Sequence, residues 1–188
     1  MRKTCPESEY LEIDDKIMAL AKELLSSHDI QEADKISLNL TQKSTRLNAQ
    51  NALKKIVGFR PKRPLYYANY EINHLPHWTR YTVENMGHFV DQMVKCVAGE
   101  KLPNSKFYNN PLGVNLNNLK NKIPDDLYSE LDRFNKFIYV PAKHEFNVIN
   151  RKHLFTSKEV VFIIFISLKL KDKLIIISDE ARKYAEGP

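Results

Sequence analysis

The sequence predicts an all-α protein, and three observations carry that expectation. Apolar residues recur at three- and four-residue intervals in one segment after another, the period of a helix with one buried face. Prolines and glycines punctuate the chain near the ends of those segments. The one run rich in β-formers, near the C-terminus, is preceded by a helix capping box. With 188 residues, 43% of them hydrophobic and 28% charged, the chain is long enough to bury a core unaided and has ordinary globular composition.

The first helix is expected from about Glu7 to Ser26, on a stripe of Ile13, Ile17, Leu20 and Leu24. Ser26-Ser27-His28-Asp29 breaks it and can cap the next. From about Ile30 to Val57 the pattern loosens to Ala33, Ile36, Leu40, Leu47, Leu53 and Ile56, either one long helix or two with a break near Ser44. Gly58 stops it. Pro61 and Pro64 then predict extended backbone through the stretch 60–70, which reads as a linker whose tyrosines lie on the core. The chain is accordingly divided into a helical extension with a basic, Pro- and Tyr-rich linker over residues 1–75 and a main helical bundle over 76–188.

In the main bundle, Tyr81, Met86, Phe89, Val90, Met93, Val94 and Val97 give one wide apolar face, with Gly99 placed as a helix terminator. Pro111 suits the first turn of a helix whose stripe is Leu112, Leu116, Leu119 and Ile123, and Pro124 ends it. Asp125 and Asp126 open the next, with the stripe Leu127, Leu131, Phe134 and Ile138, and Pro141 terminates it. A connection of 15 residues, Ala142 to Thr156, follows; connections of that length are often functional. Thr156-Ser157-Lys158-Glu159 then forms a capping box. Val160–Ile166 and Leu174–Ile177 would suit a hairpin turning at Leu170–Lys173. A buried helix running to about Tyr184 is favoured, because every preceding element is helical and the cap sits at its start. Tyr184 to Pro188 reads as a plain tail.

Several function classes are excluded. Two cysteines, Cys5 and Cys96, form neither a disulfide framework nor a zinc spacing, which points to a reducing, cytoplasmic setting. The start of the chain has acidic residues where a signal peptide would be apolar. The longest apolar run, Val160 to Ile166, falls well short of the roughly 18 residues of a membrane span. No glycine-rich phosphate loop is present. His74 and His77 make an HxxH pair without a third ligand, and His144-Glu145 has Val148 where a zinc protease needs its second histidine, so neither metal nor cofactor is expected. His88, within the apolar region of its segment, is expected as a satisfied interface histidine.

Charge is more informative. The net charge is +6, and from Lys35 to Tyr70 there are eight basic residues and no acidic one. The window Lys101 to Pro124 has four lysines and no acid. Such clusters raise the local potential and attract RNA or another polyanion. Within the first window Lys54, Lys55, Arg60, Lys62 and Arg63 lie beside Tyr66 and Tyr67, a mixture able to hold phosphates and stack bases. A second constellation follows Pro141. Lys143 and His144 are adjacent, and Arg151 lies further along the same connection. Histidine moves protons near neutral pH, and a neighbouring cation stabilises the transition state of metal-free RNA cleavage.

The layout itself resembles a family. A long helix from Trp78 is followed by Leu112-Gly113-Val114-Asn115-Leu116 and the Pro124 break. Then come Phe134-Asn135-Lys136-Phe137-Ile138-Tyr139, the Lys143-His144 turn and a last apolar helix. This arrangement, over roughly 76–184, is similar to the HEPN domain (higher eukaryotes and prokaryotes nucleotide-binding). The resemblance implies a helical bundle that forms homodimers. It further implies RNA or nucleotide binding in a defence or toxin–antitoxin setting, or metal-independent endoribonuclease activity. Active members carry an Arg a few residues ahead of a His. Here Arg133 precedes His144 by eleven positions and Arg151 precedes His153 by two, so His144 alone stands at the family's place, with Lys143 as its cation. A non-catalytic protein-interaction module, using the first two segments, is the remaining alternative.

Overall fold

The computed structural model describes residues 13–58, 63–72, 78–102, 107–144 and 155–187. Among the described residues all regular structure is helical, with no strand. In chain order the helices are α1 (Asp15–Leu24), α2 (Ser27–Thr41), α3 (Arg46–Val57), α4 (Arg63–Glu71), α5 (Trp78–Lys101), α6 (Leu112–Leu119) and α7 (Asp125–Phe134). A π-helical turn (Asn135–Tyr139) leads into α8 (Val140–His144), and α9 (Ser157–Ile177) and α10 (Asp179–Glu186) complete the chain.

The centre is α9. Every residue from Val160 to Ile166 is buried, so the helix has no polar face along this stretch and must be surrounded. It packs against α5 on one side and against α1 and α2 on another, with α10 closing over both α5 and α9. The run rich in β-formers is therefore helix because tertiary burial outweighs its modest propensity penalty. The capping box holds its start. Thr156 Oγ1 accepts from the Glu159 amide at 3.1 Å, and Glu159 accepts back from Thr156 N at 2.9 Å. Glu159 also accepts from Asp14 N at 2.9 Å, so one carboxylate ties the starts of α1 and α9 together.

α2 and α3 are two helices, joined at the break near Ser44. Ser26 and Asp29 form a full capping box at the start of α2. Its end is closed from α3: Thr45 Oγ1 donates to Asn39 O at 2.8 Å and Arg46 Nε to Leu40 O at 3.0 Å. Buried residues of α1–α3 and of the later helices belong to one hydrophobic core.

Four sequence expectations are corrected. The stretch from Arg63 is the helix α4, not extended linker: Pro64 lies in its first turn, where the missing N–H is harmless, and Leu65, Ala68 and Ile72 form its buried stripe. Tyr66, Tyr67 and Tyr70 point away from that stripe and are exposed. Gly99 does not end α5; it lies inside the helix, where a Cβ would come within 2.7 Å of the Phe107 ring. Pro141 does not end its segment either. The π-helical turn before it shifts the hydrogen-bonding frame, so the carbonyls a proline would leave unpaired or strike are displaced, and helix continues to His144. The single helix expected to run to about Tyr184 is broken at Ser178: α9 ends at Ile177 and α10 follows, reaching Glu186 within the expected tail, with Ser178 Oγ accepting from Ala181 N at 3.1 Å and Tyr184 stacking on Phe89 with ring centroids 6.0 Å apart.

Arg133 joins α7 to α1 by a two-pronged pair with Glu23, at 2.8 and 2.7 Å. The hydrogen bond from Arg133, with its positive charge, holds the Glu23 carboxyl below its ordinary value of 4.5 despite partial burial. A depressed acid stabilises the fold above its unfolded pKa and loses that contribution as pH falls through the folded one. Glu23→Gln is thus expected to lose roughly 0.5–1 kcal/mol at pH 7, the range for a partly exposed pair. Urea denaturation should show that gap closing as pH drops below 4.5; a gap independent of pH would remove the pair from the fold's stability.

Candidate functional site

Two places gather the residues singled out in the sequence, and they lie on different helices. The first is the face shared by α3 and α4. These helices are bolted by Asn69 Nδ2 donating to Lys54 O at 3.0 Å and Gln50 Nε2 donating to Ile72 O at 2.9 Å. Because α4 turns Leu65, Ala68 and Ile72 inward, Tyr66, Tyr67 and Tyr70 face out, 43%, 49% and 50% exposed. The Tyr66 and Tyr67 rings meet edge to face at 5.5 Å. Lys54 and Lys55 occupy the last turn of α3. Arg63 begins α4, while Arg60 and Lys62 lie outside the described residues. Tyr70, four residues on from Tyr66, completes the aromatic face; the extended backbone expected over 60–70 hid that helical spacing.

The cations of this face and of the segment leading to it are uncompensated among the described residues. Lys35, Lys43, Arg46, Lys54 and Lys55 form no ion pair with any of them. By contrast, Lys95, Lys136, Lys158, Lys169 and Lys173 are all paired with carboxylates.

The second place is where the π-helical turn meets α5. The wide turn carries Tyr139 into the bundle, with its ring against Gly87: a Cβ at position 87 would sit 2.1 Å from the Tyr139 Cδ2 atom. The Tyr139 hydroxyl reaches His88 Nδ1 at 2.8 Å. His88 Nε2 lies 3.7 Å from Glu84 Oε1, and the imidazole is 40% exposed. Burial, reinforced by Asp91 and Glu84, pushes the Tyr139 phenol far above its ordinary value, so it keeps its proton. Lys143, exposed at the end of α8, lies with Nζ 4.8 Å from the centroid of the same ring, within cation–π range.

Of the three residues proposed for acid–base chemistry, Lys143 and His144 occupy the end of α8, with Lys143 on the Tyr139 ring. Arg151 and the remainder of the connection lie outside the described residues, as do His74 and His77. Arg133 is engaged by Glu23. Among the described residues no group of three His, Cys, Asp or Glu side chains is placed to hold a metal. His88 has the satisfied interface position expected for it. Its partners were not legible, because nothing in sequence signals a π-helical turn that brings Tyr139 back onto α5.

Among the described residues, fold and sites together define a helical bundle with a cationic and aromatic face lacking carboxylate partners and a separate histidine–tyrosine junction. No protein-family model matches the chain, and neither a curated protein nor a solved structure matches it. No helix among the described residues is long and apolar enough to cross a membrane.

The Gly87 notch is a sharp packing constraint. Gly87→Ala is expected to destabilise the fold by about 1–3 kcal/mol, the cost of overpacking a tight interior, although alanine is the better helix former. Thermal and denaturant melts decide the sign; an unchanged or more stable variant would mean that Tyr139 does not occupy the notch.

Proposed function

We propose that this chain is a HEPN-like helical bundle that binds RNA, or a related phosphate polyanion, through the α3–α4 face. One observation carries the reading: α4, with three exposed tyrosines, is bolted to the end of α3, whose lysines have no carboxylate partner among the described residues. Exposed aromatics lose free energy by lying in water, and uncompensated cations repel one another. An RNA strand relieves both, by stacking its bases on the rings and placing phosphates on the ammonium groups. Lys35 on α2, Lys43 in the turn after it and Arg46 on α3 add cations without carboxylate partners among the described residues. The resemblance of residues 76–184 to HEPN domains supports the same class of ligand, and with it a homodimer and a defence or toxin–antitoxin setting.

Binding of a labelled single-stranded RNA, measured by fluorescence anisotropy across 50–200 mM salt, tests this. Replacing Tyr66 and Tyr67 by alanine is expected to weaken binding about tenfold or more, because the bases no longer stack. Lys54→Gln with Lys55→Gln is expected to flatten the dependence of log affinity on log salt by about 0.7 for each phosphate that is no longer neutralised. Weak binding that is flat with salt would overturn the electrostatic part of the proposal. A protein-interaction module would then be favoured, with the exposed Leu38 and Leu47 as its apolar contacts.

A second reading, a metal-independent endoribonuclease, is supported by the exposed Lys143 ammonium next to His144 in the chain, at the end of α8. In that reaction the RNA 2′-oxygen attacks the adjacent phosphorus and displaces the 5′-oxygen, with His144 transferring the proton and Lys143 or Arg151 balancing phosphorane charge. RNA cleavage in EDTA that disappears in His144→Ala supports it; cleavage that survives the substitution removes His144 from the mechanism.

A further inference from the structure

We infer that α10 is an exchangeable element: two copies of this chain swap it, each seating its α10 on the α5 and α9 of the other, with α9 and α10 then running on as one helix. The exchange is independent of RNA binding and follows from how the bend at Ser178 is made. That bend interrupts a pattern suited to a continuous helix. Leu170, Leu174, Ser178, Ala181 and Ala185 are all buried, at spacings of four, four, three and four. At about 100° per residue, these five positions fall on one narrow face of an unbroken helix. A single residue, Ser178, separates the two helices, with extended backbone at φ −151° and ψ 124°. Neither proline nor glycine stands at the break.

Side chains hold the bend instead. Ser178 Oγ accepts from Ala181 N at 3.1 Å and donates to Glu100 Oε2 at 2.7 Å. The same Glu100 oxygen accepts from Glu180 N at 3.3 Å, and Arg182 Nη2 donates to Ile175 O at 3.0 Å. In a straight helix the backbone alone would serve these three groups: Ile177 O would take Ala181 N, Ile176 O would take Glu180 N, and Asp179 N would give to Ile175 O. The bent form thus uses three side chains, Ser178, Glu100 and Arg182, for bonds that the straight form makes unaided. What a single copy gains by bending is burial. Tyr184 stacks on Phe89, and Ala181 and Ala185 are covered. Straightened alone, α10 would project roughly 12 Å past Ser178 with that face in water.

A second copy removes that penalty. Its α5 and α9 offer the same seat, left by its own α10, so the occupant fits without any new complementarity. The packing of α10 is kept, the side-chain catch is replaced by backbone hydrogen bonds at two hinges, and the opposing term is the entropy of association. The one-residue hinge and the short reach of α10 require the two copies to exchange reciprocally about a two-fold axis. Concentration therefore sets the balance, with the closed single copy favoured when dilute.

Size exclusion with light scattering tests this on the full chain, at about 10 µM and after incubation at about 1 mM. The dimer fraction is expected to grow at the higher concentration. In Ser178→Ala with Glu100→Gln, which weakens the closed form alone, the dissociation constant is expected to fall about tenfold or more. Two glycines inserted between Ile177 and Ser178 keep the catch and bar a continuous helix, and that variant is expected to stay monomeric. In dimer formed from isotope-labelled and unlabelled copies incubated together, NMR is expected to show the Tyr184 ring of one copy against the Phe89 ring of the other. A wild-type chain that stays monomeric at about 1 mM would overturn the exchange. So would a dimer whose Tyr184–Phe89 contacts all lie within one copy, or one that the glycine insertion leaves intact.

Discussion

A helix with seven successive buried apolar residues cannot rest on a surface; it has to be enclosed. Burying Val160 to Ile166 removes side chains worth roughly 1.5–3 kcal/mol each from water, the largest concentrated driving force in the chain. The architecture follows from satisfying that demand. α5 supplies the longest complementary face, α1 and α2 cover another side, and α10 folds back over α5 and α9 together. One polar group carried into this centre is satisfied within its own helix. Ser167 donates to Ile163 O at 2.7 Å, one turn back along its own helix. The Glu159 carboxylate serves the starts of both α9 and α1, so the first described helix is held by the same group that starts the central one.

Enclosing α9 fixes one side of α5 and leaves its other sides to accommodate smaller elements. Two glycines solve this by subtraction. Gly87 opens a notch for Tyr139 and Gly99 one for Phe107, so aromatic rings reach the helix axis where any side chain would block them. Both glycines weaken α5 locally, by about 1 kcal/mol each relative to alanine. Ring burial against a long, well-anchored helix offsets this. The π-helical turn acts in the same direction. It delivers Tyr139 into the Gly87 notch while allowing Pro141 to remain within helix, and it leaves Lys143 at the end of α8 poised over the buried ring.

Much of this frame was legible in sequence, and the failures have physical causes of two kinds. The stripes Leu127, Leu131, Phe134 and Ile138, and Leu112, Leu116 and Leu119, lie on buried faces as their spacing requires. Thr156 and Glu159 form the capping box their spacing predicts. Gly58 ends α3 with φ near 80°. These signals are local, and local chemistry decides them. Pro64 is tolerated by its place in the first turn of α4 and Pro141 by the π-helical turn just before it, whereas Gly99 and the break at Ser178 depend on packing partners outside their own helical turn. Gly99 is kept in helix by Phe107, and α10 is held by Ser178 donating to Glu100 Oε2 at 2.7 Å. Composition did mark the α3–α4 cations and tyrosines, but only the helical geometry of α4 separates its core residues from its exposed ones. The His88–Tyr139 contact, spanning 51 positions, left no trace in any local pattern.

The distribution of ion pairs divides the surface into two kinds of region. Around α7 and α9, charges join helices: Arg133 grips Glu23, and Lys173 reaches both Glu130 and Asp126. Glu130 is 2% exposed, and burial raises its pKa despite Lys173, the mark of a carboxylate placed inside to link helices at an electrostatic expense. α2 joins α9 in the same way, through Asp29 and Asp34, but from Lys35 to Tyr70 the chain itself contains no acid beside its cations. Pairing a lysine on the surface contributes little stability, so a few acids there would have altered the fold by tenths of a kcal/mol. Folding therefore places no demand for this asymmetry. What an acid-free, tyrosine-bearing face changes strongly is the local potential, which is felt by ligands rather than by the core.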